Sequence, residues 1–294
     1  MTNIKFLDGY KLTAGIHTIS IQTEEQANAE LKKTSAAVKS IKYNKQTKKT
    51  NIILNLNKID GFIYSYDEFV EKLSTVLEEL GIDACKIIRV DMCFDSYDAE
   101  HYHKYAKLNR LIISMFAQAY SIDNRYRTND LFTNKQLSIA VKLPNAFQIE
   151  NYDKERESKG KDIAKSRFEI RSLRMADKAI EEEFITVWNE RFENTYKYYF
   201  ETLARYNNEL VKIYKAEHER GNPVKWSTFF QMYENCIFTR EQAINLLSMM
   251  GETSCEEKYK YFKKKYKLET YSKTMVSAAV REILRARNTY FYGG

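Results

Sequence analysis

Three short runs in this chain alternate between apolar and charged residues, and that alternation narrows what it can fold into. In RVDMCFD (89–95), Val90, Met92 and Phe94 share one parity and Asp91 and Asp95 the other. In FQIENYDK (147–154), Phe147 and Ile149 stand opposite Gln148, Glu150 and Tyr152. In SRFEIRSL (166–173), Phe168 and Ile170 stand opposite Arg167, Glu169 and Arg171. Successive side chains of a strand point to opposite faces. Each run therefore offers one face to a core and shows charge on the other. Neighbouring strands lie about 4.8 Å apart, so Asp91, Glu169 and Tyr152 can converge on one sheet surface. Glu157, just past its strand, can lean over that surface, and Lys154 shares the face if the strand persists that far.

Carboxylates packed together repel, and a buried unpaired one is costly. A divalent cation, Mg²⁺ or Mn²⁺, resolves this, since both take oxygen ligands and keep places for phosphate oxygens and water. A metal beside a tyrosine points to phosphoryl transfer. A phenol with a pKa of about 10 needs help to lose its proton at neutral pH.

The rest of the chain frames these runs. IHTISIQ alternates loosely, and TNIILNLNK (50–58) places Ile52, Leu54 and Leu56 on one strand face. SYDEFVEKLSTVLEELG (65–81) has the spacing of an amphipathic helix that stops at Gly81. Residues 98–120 read as a helix with Asp98 as N-cap. QLSIAVK is one more strand candidate. After Met175 the strand period disappears: one long helical stretch runs to Gly221-Asn222-Pro223, then TREQ (239–242) forms a capping box, and helices follow near 256–267 and 273–287. The expected architecture is α+β, with a largely antiparallel catalytic sheet domain over 1–178 and a helical region over 179–294.

Nine glycines, two prolines and a hydrophobic fraction of 44% suit a chain with real cores and exclude collagen-like or disordered classes. No apolar run reaches the ~20 residues of a membrane helix. The N-terminus has no signal-peptide pattern, and the four scattered cysteines suggest neither zinc nor disulfides, so a cytoplasmic setting is expected. The net charge of +7 is unevenly placed. Residues 31–58 hold eight lysines and no acid, and residues 254–294 hold ten Lys/Arg against four Glu. Two basic zones fit a polyanion such as nucleic acid. His101-Tyr102-His103 is not read as a metal site: on a helix the two rings diverge by ~200°, and the pair suits a solvated first turn. Tyr43-Asn44-Lys45 echoes Tyr152-Asp153-Lys154 but lacks nearby acids, which suits DNA contact or packing.

The ordered set IKYNKQTKKTNIILNLNK, RVDMCFDSYD, FQIENYDKERE and RFEIRSL resembles the Rep_trans family of rolling-circle plasmid replication initiators, whose relatives include conjugative relaxases and phage initiators. The resemblance covers roughly residues 35–175. It implies that Tyr152 nicks one DNA strand and holds the 5′ end as a phosphotyrosine; Lys154, close in sequence and of matching parity, is the lysine expected to help remove the phenolic proton. It implies that Asp91, Asp95, Glu157 (or Glu155) and Glu169 hold the divalent metal. Lys45, Lys48, Lys49, Arg167 and Arg171 would grip DNA. Implied partners are single-stranded or cruciform origin DNA, a host DNA helicase and a second copy of the chain, with no membrane. One departure stands out: Glu150 occupies a position where such proteins favour arginine. Two other readings remain open, an origin-binding protein without chemistry and a metal nuclease that uses water.

Overall fold

The computed structural model describes residues 9–24, 35–120, 139–143, 147–175, 179–188, 192, 195–221 and 223–293. Among them, seven strands form one antiparallel sheet: β1 (Thr13–Thr23), β2 (Val38–Asn44), β3 (Lys49–Leu54), β4 (Lys86–Ser96), β5 (Ile139–Leu143), β6 (Phe147–Asp153) and β7 (Ser166–Ser172). Their spatial order is β2-β3-β1-β4-β7-β6-β5. The fold is α+β. The helices are α1 (Asn57–Asp60), α2 (Tyr66–Glu79), α3 (His101–Tyr120), α4 (Lys154–Glu157), α5 (Tyr199–Glu219), α6 (Trp226–Met232), α7 (Arg240–Met249), α8 (Cys255–Tyr266) and α9 (Lys273–Tyr292).

The alternation sorts the sheet as expected. Val90, Met92, Phe94, Phe147, Ile149, Phe168 and Ile170 are buried on one face, where α3 packs on β5, β6 and β7 and α9 packs on β1 and β4. Each such side chain contributes roughly 1.5–3 kcal/mol of burial. Phe94 stacks on Trp188 with ring centroids 5.8 Å apart. One continuous apolar core runs from the sheet through α3 into the C-terminal helices. Helix α9 also clamps the residue before β1: the Leu12 N–H donates to Glu282 Oε1 at 2.9 Å, and Arg285 donates to the Leu12 carbonyl at 3.1 Å. The opposite face of the sheet carries the charged residues.

Several local expectations need correction. The strand expected over 50–58 ends at Leu54, because Asn57 turns the chain: its amide donates to the Ile16 carbonyl and its oxygen accepts from Ile63 N–H, both at 3.0 Å. Helix α3 begins at His101 rather than after Asp98, whose carboxylate instead closes a turn onto the Glu100 N–H at 3.0 Å. His101 is not solvated. It is buried against Tyr10 and Tyr105, with centroids at 5.2 and 4.8 Å, while His103 is exposed. The long helix expected up to Gly221 is interrupted by a π-helical turn, Glu182–Val187, and a 3-10 turn, Tyr196–Tyr198. In the TREQ box, Thr239 Oγ1 accepts from the Gln242 N–H at 3.0 Å, but the Gln242 side chain reaches back to the Phe238 N–H at 2.6 Å rather than to Thr239. Lys32 and Lys33 of the basic zone and Gln136–Ser138 of the QLSIAVK strand lie outside the described residues.

Candidate active site

Register assembles the charged face. Asp91, Cys93 and Asp95 of β4 lie opposite Arg171, Glu169 and Arg167 of β7. The latter three lie opposite Gln148, Glu150 and Tyr152 of β6. Tyr152 is half-buried. Its hydroxyl donates to Glu169 Oε2 at 2.8 Å, across the diagonal of the β6–β7 pair, which is within reach of a long side chain. Burial first, and the Glu169 charge second, push the phenol well above its usual value. A free phenolate is therefore not populated near neutral pH, and Glu169 is the group placed to accept the phenolic proton.

The acids do not gather round an open point. Asp95 is sealed to Arg167 by two bonds of 2.6 Å, both residues being buried. Asp91 accepts two bonds from Arg89, at 2.7 and 2.6 Å, and burial still pushes its carboxyl up. Arg171 is the shared cation of three acids: it bonds Glu150, donates Nε to Glu169 Oε1 at 3.0 Å, and lies 3.8 Å from Asp91 Oδ2. The charge of Glu150, the departure noted above, is thus matched from the neighbouring strand. Glu157 pairs at 2.6 Å with Lys154 rather than with Asp91 or Glu169, and Glu155 pairs with Lys165. Among the described residues, no group of three His, Cys, Asp or Glu side chains is poised to hold a metal ion. Arranged this way, the donors do not fit the near-octahedral oxygen shell of Mg²⁺, because a guanidinium already stands where the cation would.

Lys154 reaches the site by a different route from the one expected. The strand ends at Asp153, whose carboxylate caps α4 by accepting the Arg156 N–H at 2.9 Å. This turn buries Lys154 and sets its ammonium 5.8 Å from the Tyr152 ring centroid. Arg167 Nη1 is buried with no hydrogen-bond partner among the described residues, a charged donor on the residue directly opposite Tyr152. Phe62 closes the β1 side of the face. It lies so close over Gly15 that a Cβ there would stand 2.7 Å from its ring, and it packs edge-on against Tyr64 and Tyr97.

The remaining basic residues lie elsewhere. Lys45 and Lys48 are exposed in the β2–β3 turn, and Lys49 pairs with Glu24 at 3.7 Å. This hairpin is four strand spacings from β6 and near the opposite strand ends, about 20 Å across the sheet and about 30 Å along it from Tyr152.

Sequence reasoning missed His17, Thr18 and Lys39. The signal was the loose phase of IHTISIQ: Ile16 and Ile19 are three apart yet pair with Met92 and Val90, both on the core face of β4, which a strict period of two does not allow. A bulge between Ile16 and Thr18 accounts for it. Among the described residues, no helix is long and apolar enough to cross a membrane. No protein-family model matches this chain, and a comparison with curated proteins finds no match.

Proposed function

We propose that this protein is a DNA-nicking strand transferase that uses Tyr152 as nucleophile and starts rolling-circle replication or conjugative transfer. The observation that carries the reading is the 2.8 Å bond from the half-buried Tyr152 hydroxyl to Glu169, amid Arg167, Arg171 and Lys154. Tyr152 Oη forms a bond to phosphorus while the bond to the 3′-oxygen breaks. The phenolic proton passes to Glu169, and the departing 3′-oxygen takes a proton from water. The 5′ end remains on the protein as an aryl phosphate ester. A 3′-hydroxyl can reverse the step, so resealing needs no nucleotide cofactor. Arg167, with one donor unused, supplies charge to the phosphate oxygens. In the initiators that the sequence resembles, a divalent cation would add Lewis-acid stabilisation. Here Arg171 fills the place between Asp91, Glu150 and Glu169.

Single-stranded or cruciform origin DNA is the substrate on this reading, with a host helicase and a second copy of the chain as partners. The test is incubation with labelled single-stranded DNA, with and without Mn²⁺. A protein–DNA adduct that survives boiling in detergent and is lost in Tyr152→Phe supports the reading. Cleavage that persists in Tyr152→Phe overturns it. The saturation of the acids by arginines favours a second reading, an origin-binding protein without chemistry, which gives a salt-sensitive gel shift and no adduct.

A further inference from the structure

Four cations of the charged face act on one side chain that carries no charge. His17 is the extra residue of the β1 bulge: Ile16 pairs with Met92 and Thr18 with Asp91, leaving His17 between them. Lys39 Nζ donates to Thr18 Oγ1 at 3.0 Å, and Thr18 Oγ1 lies 3.2 Å from His17 Nδ1. The ammonium can only donate, which leaves the Thr18 hydroxyl hydrogen free to turn towards Nδ1, and the assignment adopted for the ring is the one this turn produces. That places the ring hydrogen on Nε2, which has no hydrogen-bond partner among the described residues. Burial first, then Arg167, Lys39, Lys154 and Arg171, lower the imidazole's pKa to about 2. These cations come from β7, β2 and α4; Arg167, Arg171 and Lys154 are each paired with a carboxylate, so the positive charge left for a ligand is that of Lys39, bound to Thr18 beside the ring, and the unbonded Nη1 of Arg167.

That charge suits an anion, and a neutral imidazole contributes a donor there without adding charge that must itself be desolvated. We propose that His17 is a further catalytic residue: its neutral ring donates Nε2–H to a non-bridging oxygen of the scissile phosphodiester as Tyr152 attacks. The inference rests on the strand-transfer reading. His17 keeps its proton throughout. The only proton that moves from a side chain is that of Tyr152, to Glu169.

The experiment has a spectroscopic arm and a kinetic arm. The Tyr152→Phe protein, labelled with ¹⁵N-histidine, is examined by NMR with and without single-stranded oligothymidylate, its four histidines being assigned by single substitutions. The expected result is an Nε2–H tautomer for His17 that does not titrate between pH 5 and 8 and whose Nε2 resonance moves on saturation with DNA. An Nδ1–H tautomer, ordinary titration, or a resonance unmoved by bound DNA overturns the proposal. In the kinetic arm, His17→Ala slows adduct formation at saturating DNA by about 10²–10³-fold with affinity unchanged. His17→Gln, whose amide can donate, recovers to within about tenfold of wild type. Equal loss in both variants, or a loss of affinity alone, also overturns it. If the wild-type protein forms no adduct, the strand-transfer reading fails instead, and the NMR arm still decides whether His17 meets DNA.

Discussion

Tyr152 and Glu169 sit on adjacent antiparallel strands and meet on the diagonal, the phenol donating to Glu169 Oε2 at 2.8 Å. The other oxygen of that carboxylate accepts from Arg171 Nε at 3.0 Å. Glu169 is thereby oriented by one neighbour and left ready to take a proton from the other, the arrangement of an activated nucleophile with an oriented base.

Replacing the base while keeping its shape isolates this relationship. Glu169→Gln is expected to slow covalent adduct formation by about 10²–10⁴-fold. DNA affinity should hold or rise, since a negative charge is removed. A quenched time course at saturating DNA checks it, and a rate within threefold of wild type would remove Glu169 from the mechanism.

The Asp95–Arg167 pair is buried and bidentate. Removing one partner strands a buried charge, so Asp95→Ala should cost about 3–5 kcal/mol, read by urea denaturation. The double change Asp95→Leu/Arg167→Met should regain most of that stability yet form no adduct. A double variant no more stable than Asp95→Ala would mean that the pair is not the source of the loss.

Arg171 stands among Asp91, Glu150 and Glu169. Arg171→Ala leaves three acids with no shared counter-charge, a set suited to a divalent cation. Mn²⁺ at millimolar concentration should then raise the melting temperature of the variant by several degrees more than that of wild type, because ligand binding to the native state stabilises it. Adding Glu150→Gln should remove most of that gain. An equal Mn²⁺ shift in wild type and Arg171→Ala is the outcome that contradicts this account.

His101 is buried beside Tyr10 and Tyr105, and burial, opposed by the nearby Asp98 charge and aided weakly by Lys104, moves its pKa down to about 4. The unfolded chain, with an imidazole near 6.5, then binds the proton more readily than the folded one. The stability held above pH 6.5 is lost as pH falls towards 4, by about 2 kcal/mol at pH 5. His101→Phe should flatten the melting-temperature profile between pH 7 and 5, and an unchanged slope would contradict the burial argument. His17 acts in the same direction.

On the strand-transfer reading, the lysines of the β2–β3 turn are too far from Tyr152 to touch the phosphate being cut. Replacing Lys45, Lys48 and Lys49 together by alanine should lower the salt dependence of single-stranded DNA binding by about two units of log–log slope. The adduct rate at saturating DNA should stay the same. A large loss of rate there would place the hairpin next to the chemistry.

The three charged-face strands were legible because a period of two needs only local sequence. Val90, Met92 and Phe94 are buried, as their parity requires. The meeting of Tyr152 with Glu169 also follows from parity once β6 and β7 are neighbours. What parity cannot specify is how each charge is matched. The Asp91–Arg89 pair is local, but Asp95–Arg167 depends on register between strands far apart in sequence, and Glu150–Arg171 on the register of the neighbouring β6 and β7. The bulge at His17 broke the very period used to find strands, so the side chain it turns inward was invisible to that method. His101 was misjudged because the aromatic that covers it, Tyr10, lies about ninety residues away in sequence.

The grip of α9 on Leu12 joins positions 270 residues apart. At the 5–20 residues per second of translation, that interval takes roughly 14–54 s. A nascent chain can pair its sheet strands well before then, but the clamp beside the strand bearing His17 closes only when the last helix has emerged from the ribosome. A partly made copy that met DNA would do so with this clamp still open.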